Sequence, residues 1–450
     1  MSRAAWAMLA LVAAAHGCGG EVGTIQIALV AAPGSDLLER VERVRAVVSD
    51  PPTEIEAERD DDGELRLDLE FAAQGGASTL TVEGFDADGE RIALARSAPL
   101  PLGAVNAAVI LYTAPPLAFT EAPVALDPPR SEIGTGLLSY GAILVGGRAA
   151  SGQPVADTVI YNVYDHDLQI GEPLPQARAA PTVVSGEVDL VYVFGGMDSG
   201  GAASGVAWGF NTAVAPAGLY VELTTEGDLE RAGAAGVAVG SEKVLVTGAL
   251  PVQVDGLTGM VIAWPDAPPL ADGAAARLVG DAPAVLVAGL GVGDTGAVTY
   301  ADDEFAALPA PEQVRRTGHA VVALPDGRAL IAGGALESSQ PERSAVIYDP
   351  ASGELTVVDD FLAAGRSEAA LAATSTYVLA AGGTGADGAI LGDAELFDAT
   401  TLDPIATVPL VVPRRGASAL PLANGQVLIV GGVAEDGEPV GAMELFTPDS

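Results

Sequence analysis

The feature that most constrains this chain is a run of apolar residues ending in glycine that returns seven times. Aligned on the first glycine, the runs read AILVGG, VYVFGG, VLVTGA, VLVAGL, ALIAGG, VLAAGG and VLIVGG, with that glycine at Gly146, Gly195, Gly248, Gly289, Gly333, Gly382 and Gly431. The steps between them are 49, 53, 41, 44, 49 and 49 residues. So regular a period signals an array of one supersecondary unit, each too small to bury both its faces without a neighbour.

Two further marks keep phase. An arginine stands 16 or 17 residues before the first glycine in six units, at Arg130, Arg178, Arg231, Arg316, Arg366 and Arg415; the fourth unit lacks it. An aromatic ring stands 14 residues after the second glycine position at Tyr161, Phe210, Tyr348, Phe397 and Phe446. Trp264 of the third unit is one residue out of step, and Tyr300 of the fourth is four residues early.

Double glycine, upstream arginine and downstream aromatic-Asp (Tyr348-Asp349, Phe397-Asp398) resemble the kelch repeat over roughly residues 116–450. The resemblance implies an all-β fold, a seven-bladed kelch-type β-propeller of four-stranded blades. Each blade would have an inner strand entered at the arginine, a second ending in Gly-Gly, a third ending in the aromatic, and an outer strand such as GELTVVDDF. The paired glycines, Gly146 with Gly147, Gly195 with Gly196, Gly333 with Gly334, Gly382 with Gly383 and Gly431 with Gly432, are then structural. They allow positive φ and close backbone approach where blades crowd together. The family's outer-strand Trp is absent, and units three and four keep one glycine of the pair. The last unit stops a strand short at Ser450, and LAFTEAPVAL at residues 117–126 has the character of the missing strand, which would close the array on itself.

Ahead of the array the pattern changes. Over residues 23–115, alternating runs such as TIQIALV, VERVRAVVS, ELRLDLEF, STLTVEGFD and NAAVILYT recur about every ten residues between Asp, Gly and Pro turns. That predicts a small antiparallel β-sandwich, Ig-like, serving as a spacer domain. DDDGE at residues 60–64 and DADGE at 86–90 lack the ligand spacing of a calcium loop and read as hairpin turns. The proline-rich PPLAFTEAPVALDPP marks the boundary.

The N-terminus reads as an address. Arg3 precedes AAWAMLALVAAA, a 12-residue apolar run too short to span a bilayer, which fits a signal peptide over residues 1–17. Gly17 followed by Cys18, the only cysteine, resembles the cleavage site of bacterial lipoproteins, although Ala15 replaces the usual Leu and His16 a small residue. The resemblance implies a lipidated N-terminus at residues 18–22 with acyl chains on Cys18, hence a membrane anchor with no spanning helix. Gly19 in place of Asp points, by the same resemblance, to an outer membrane lipoprotein, periplasmic or surface-exposed. A single thiol allows no internal disulfide.

Charge and chemistry narrow the function. With 21 Lys and Arg against 60 Asp and Glu, the formal charge of −39 repels phosphate backbones, so no nucleic-acid partner is expected. Only His166 and His319 lie behind the leader, so no Cys/His cluster forms and neither metal nor cofactor is expected. Galactose oxidase shares the propeller, but its family's copper site needs two histidines and a cysteine-crosslinked tyrosine; sialidase Asp-boxes are missing too. His319, in RRTGHAVVAL, reads as a structural residue on an inner strand, and His166, in YDHDLQ, as a solvated turn residue. No nucleophile elbow or complete phosphate loop is present; GLGVGDTG at residues 289–296 lacks the helix and lysine.

The six in-phase arginines form a candidate ring at the channel mouth that would attract a carboxylate or anionic sugar. The competing reading pairs them with backbone carbonyls or neighbouring carboxylates. Together these features predict a non-catalytic, exported, membrane-anchored lipoprotein whose propeller is a binding scaffold for a protein or glycan at the cell envelope. The alternative is a carbohydrate-active enzyme with acidic residues at the channel mouth.

Overall fold

The computed structural model describes residues 9–14, 24–50, 52–59, 77–101, 107–186, 190–223, 229–240, 242–248, 251–256, 258–263, 270–280, 284–291, 295–336 and 340–449. These are almost wholly β, with one short helix, Leu37–Arg40, and one 3-10 turn, Glu312–Val314. Cys18, Trp264 and the turn at 60–64 lie outside the described residues, as does the run at 64–71 expected to be a strand.

The N-terminal strands form one seven-stranded sheet in the order Leu9–Ala14, Thr24–Val30, Ala107–Ala114, Arg91–Arg96, Leu80–Phe85, Arg43–Val48, Thr53–Glu58. This differs from the expected antiparallel sandwich in two ways. Thr24–Val30 and Ala107–Ala114 run parallel, from Ile25 beside Ala107 to Val30 beside Tyr112. The described strands also supply no second large sheet; only Ala77–Ser78 and Leu100–Pro101 pair separately. Leu37, Leu38 and Val41, of the helix and the residue after it, pack on Val44, Ala46, Val48, Leu80 and Val82, so a short helix covers the face a second sheet would have covered. Between Leu80–Phe85 and Arg91–Arg96, DADGE is a hairpin turn, with Asp86 Oδ1 accepting N–H from Asp88 and Glu90. Leu9–Ala14, inside the expected leader, lies antiparallel to Thr24–Val30.

Beyond residue 116 stand seven four-stranded antiparallel sheets, here I to VII in chain order. Sheet VI shows the common plan: Ala370–Ala373, Tyr377–Ala381, Asp393–Asp398 and Pro404–Pro409, each hydrogen-bonded to the next. The first strands of the others are Gly134–Leu138 (I), Thr182–Ser185 (II), Gly236–Ala238 (III), Leu270–Arg277 (IV), Arg316–Ala323 (V) and Arg415–Pro421 (VII). The first strand of each sheet packs beside the first strand of the next, and that of VII packs beside that of I. Sheet VII draws its fourth strand from upstream: Ala118–Glu121 runs antiparallel to Glu444–Thr447, with Phe119 opposite Phe446 and their rings 5.2 Å apart.

Second strands are buried along most of their length, and wholly in Gly141–Val145 and Tyr377–Ala381, and therefore read as unbroken apolar runs. Fourth strands of sheets I to VI are largely exposed. The in-phase rings are buried between sheets, with Phe397 stacked on Phe361 at 4.2 Å and Phe210 at 4.4 Å from Tyr220.

The paired glycines explain the spacing of the sheets. Gly382 has φ +61°, and a Cβ there would collide with the carbonyl oxygen of Arg414 in the following unit. The next residue, Gly383, donates its N–H to that same oxygen at 2.9 Å. The same bond runs from Gly147 to Arg178 and from Gly196 to Arg231 at 2.8 Å, and from Gly334 to Arg366 at 2.9 Å. Both glycines are therefore needed to bring consecutive sheets within hydrogen-bonding reach.

The seam between sheets I and VII is packed differently. Leu144 and Tyr161 of I and Leu428 and Leu445 of VII share one apolar cluster with Val30 and Tyr112 of the N-terminal sheet and Ala122 and Leu126 of the connecting segment. The N-terminal sheet thus docks where the array's two ends meet.

Gly382→Ala should cost about 3 kcal/mol or more, because left-handed strain of roughly 1–2 kcal/mol adds to displacement of the Arg414 carbonyl. Gly388→Ala is the control: its φ is +82° with nothing within 4 Å of a new Cβ, so strain alone of about 1–2 kcal/mol applies. Urea unfolding compares the two, and equal costs would refute the inter-sheet contact.

Candidate binding face

The in-phase arginines follow the competing reading of the sequence, pairing with backbone carbonyls and a neighbouring carboxylate in place of a ring at a channel mouth. Arg130, Arg178, Arg316 and Arg366 are buried, and Arg231 is half-buried. They sit between sheets and present no ring of guanidinium groups to solvent, which corrects the expectation of an anion-attracting mouth. Arg316 Nη1 donates to the carbonyls of Gly333 and Ser344, both at 2.9 Å. Arg231 Nη1 reaches the carbonyl of Thr247 at 2.8 Å, and Arg366 Nη1 those of Gly382 and Asp393 at 3.1 Å. Each side chain thus ties the end of its own second strand, and the backbone carbonyls of Arg231 and Arg366 also receive the glycine N–H of the preceding unit. Arg178 instead lies over the Trp208 ring, 5.4 Å from its centroid.

Arg415 does not belong to the set. In the seventh unit the buried residue is Arg414, which donates to the carbonyls of Gly431 and Ala442 and to Glu444 at 2.6 Å. Register decides the choice. The residue two places after the buried arginine takes a left-handed φ at Glu132, Ala180, Gly233, Gly318 and Glu368, and in the seventh unit that residue is Gly416. Arg415 is exposed and pairs with Glu368 at 2.6 Å. Spacings of 16 and 17 both occur in the repeat, so an Arg-Arg pair left the sequence ambiguous.

Carboxylates missed by the sequence reading complete the pattern. Glu395 accepts N–H from Ala363 and Ala364 and a guanidinium hydrogen from Arg366 at 2.7 Å; Glu444 accepts from Val411, Val412 and Arg414. Each lies 13 residues after its first glycine, a spacing visible in the sequence but filled by glutamate in only two units. Desolvation pulls Arg130, Arg178 and Arg414 below the ordinary arginine range and pushes Arg316 down to about 10.

Between sheets III and IV, where the arginine is missing, other groups take over. Thr247 Oγ1 donates to the Gly273 carbonyl at 2.9 Å and accepts the Ala235 N–H. At the opposite end the Tyr300 hydroxyl lies 2.7 Å from both Gln253 Oε1 and Asp303 Oδ1, and Lys243 stands 3.2 Å from Asp303.

What faces solvent beyond the glycine pairs is a set of tight hairpins of one design. In each, one residue donates to the carbonyl four places on, and a left-handed glycine turns the tip: Ala149 to Gln153 with Gly152, Asp198 to Ala202 with Gly201, Gly385 to Ala389 with Gly388, Ala434 to Glu438 with Gly437. Asp198 Oδ1 braces its tip by accepting N–H from Gly200 and Ala202, and Asp387 and Asp436 each brace theirs through one N–H. Asp387, Glu435, Asp436 and Glu438 are exposed. At their base, Arg148 pairs with Glu132 at 2.9 Å and Arg415 with Glu368, so those cations are neutralised by carboxylates of the same face. The result is a rigid, net acidic surface. Among the described residues no cluster of His, Cys, Asp and Glu is arranged to hold a metal.

His166 is buried, not solvated as expected, with only 2% exposure. Its φ of +51° at the turn after Thr158–Asn162 aims the ring inward, onto the backbone of Tyr112. His319, on Arg316–Ala323, bonds the Ala288 carbonyl of the preceding sheet through Nε2 at 3.0 Å. No protein-family model matches the chain, and no curated protein matches it closely enough to count as a relative.

Arg414→Ala should destabilise the protein by about 3–5 kcal/mol, since it leaves Glu444 buried without its cation. Arg415→Ala, which removes an exposed pair, should cost about 1 kcal/mol or less. Thermal melts of both variants test the register, and the reverse ranking would overturn it.

Proposed function

We propose that the chain is an exported, lipid-anchored, non-catalytic scaffold: a seven-bladed, kelch-type propeller whose hairpin face binds a protein of opposite charge. Three observations support the architecture. Sheets I to VII share one strand plan, first strands pack in succession from I to VII and from VII to I, and the upstream strand Ala118–Glu121 completes sheet VII. In this reading the N-terminal sheet is a clamp over the junction, more than a spacer.

The observation that carries the binding role is the repetition of hairpins. Four share one backbone design while their tip residues differ, so a rigid frame presents variable side chains, which is how loops on scaffolds acquire ligands. The exposed carboxylates on two of them favour a basic partner and steer its approach. Removal of the leader in the exported form would take Leu9–Ala14 away and leave Thr24–Val30 at the sheet edge, with an acylated Cys18 a few residues upstream holding the protein at the outer membrane. The carbohydrate-active reading gains nothing from the carboxylates nearest the arginines, because Glu395 and Glu444 are committed to guanidinium and backbone N–H groups.

A pull-down from cell envelopes should recover a basic protein. Neutralising Asp387, Glu435, Asp436 and Glu438 together should weaken that interaction by about tenfold or more, with much of the loss in association rate. Retained affinity, or capture of neutral glycans on an array with no protein recovered, would redirect the assignment. Mass spectrometry of detergent-extracted protein tests the anchor: an unmodified Cys18 thiol refutes it. For the closed array, a chain starting at residue 116 should be more stable than one starting at 127 by about 3 kcal/mol or more, the worth of burying a phenylalanine such as Phe119. Identical melting would argue for an open array.

A further inference from the structure

The junction between the N-terminal sheet and the two ends of the array holds a buried histidine whose bonds specify its protonation. The backbone N–H of Tyr112, on Ala107–Ala114, donates to His166 Nε2 at 3.1 Å. That nitrogen therefore carries no proton, and the neutral ring has its hydrogen on Nδ1, 2.9 Å from the Tyr161 hydroxyl on Thr158–Asn162 of sheet I. The Tyr112 hydroxyl in turn lies 2.8 Å from Thr120 Oγ1 and donates to the Glu121 carbonyl at 2.7 Å, on the strand that completes sheet VII. The imidazole thus links the N-terminal sheet to sheet I, and the hydroxyl of Tyr112, whose backbone the ring holds, links the N-terminal sheet to sheet VII.

A second proton on this ring has no acceptor. At Nε2 it would face the Tyr112 N–H, donor against donor, in a site closed to water. Burial alone holds the His166 pKa down at about 4. Tyr112 and Tyr161 are both pushed above the ordinary tyrosine value by burial and stay protonated. The carboxylates nearby are Asp165 and Asp167 on its own turn and Glu121 behind Tyr112; none forms an ion pair with His166 in the closed arrangement. Asp165 accepts only from Asn162, and Asp167 from the Leu168 N–H.

Beside the ring is a cavity of about 360 Å³ with Val30, Ile110 and Val124 on its apolar side and Asp165 and Asp167 flanking His166. It gives the ring somewhere to go. We propose that His166 is an acid-operated latch: on protonation the imidazole leaves Tyr112, turns into this cavity toward Asp165 and Asp167, and releases the N-terminal sheet from sheets I and VII. Asp165 and Asp167 are exposed and offer the charged ring two anions and water, which the closed site lacks.

The direction follows from linkage. The closed form binds the proton more weakly than the open form, whose imidazole titrates near the ordinary value of about 6.5. The latch is therefore fully closed above pH 6.5, and opening becomes more favourable as pH falls from there to about 4, roughly tenfold per unit and about 300-fold in all. Below pH 4 no further change is expected.

Hydrogen exchange on the full-length protein, corrected for the intrinsic pH dependence of exchange, provides the test. Protection of peptides covering residues 107–114 and 158–166 should fall by up to about 300-fold between pH 6.5 and 4, while sheet VI, which holds no histidine, keeps its protection. His166→Phe, which cannot be protonated, should show protection in those peptides that does not vary with pH. Unchanged protection in the wild type, or the same acid loss in His166→Phe, would overturn the proposal. If His166→Phe does not fold, proton NMR of the imidazole, assigned with His319→Gln, decides: a His166 resonance titrating near 6.5 with residues 107–114 still protected would also overturn it.

Discussion

The array depends on a carbonyl that recurs at four of its junctions. The backbone oxygens of Arg178, Arg231, Arg366 and Arg414 each receive the N–H of the second glycine of the preceding sheet, in a gap that only the missing Cβ of the first glycine leaves open. The guanidinium groups of Arg231, Arg366 and Arg414 turn back and satisfy carbonyls at the ends of their own second strands. Buried carbonyls left without donors cost about 1–3 kcal/mol each, so these bonds are needed where strands end inside the protein. One residue therefore joins two sheets by its backbone and finishes one of them by its side chain. A parallel set of backbone bonds, Ala180 to Glu132, Gly233 to Ala180, Glu368 to Gly318 and Gly416 to Glu368, links the left-handed residues that follow.

The two ends of the chain's repeat region meet under different physics. Sheets I and VII are joined chiefly by the cluster around Tyr161, Leu428 and Leu445, to which the N-terminal sheet contributes Val30 and Tyr112. The N-terminal unit therefore stands at the point where the array has most need of outside support. The histidine buried there, bonded to the Tyr112 backbone and the Tyr161 hydroxyl, is the titratable group on which the proposed acid release rests.

Much of this was legible in the residues. The apolar run before Gly-Gly announces a strand buried on both faces, and the run after the aromatic one that faces water, while the strand order within each unit came from the resemblance to the kelch repeat. The glycines and the in-phase rings were legible because both answer to short-range geometry that every unit repeats. Other features were hidden by their dependence on a partner. Nothing local distinguishes Arg414 from Arg415; the left-handed residue two positions on, visible only as backbone, separates them. His166 in a polar string such as YDHDLQ looks like a surface turn, and it is buried because Tyr112, more than fifty positions away, covers it. The N-terminal strands were recognisable one by one, but their assembly into a single mixed sheet was not, because a parallel pair between distant runs leaves no turn between them to read.

By itself the sequence determined the strand content, the sevenfold period, the glycine positions and the acidic balance, since these rest on side-chain volume, hydropathy and backbone freedom that each residue carries with it. Tertiary structure alone decided which charges are buried. A guanidinium or imidazole is driven inward or left in water by whether carbonyls, carboxylates and apolar walls from other parts of the chain surround it, and desolvation acts on that assembled environment, not on the residue.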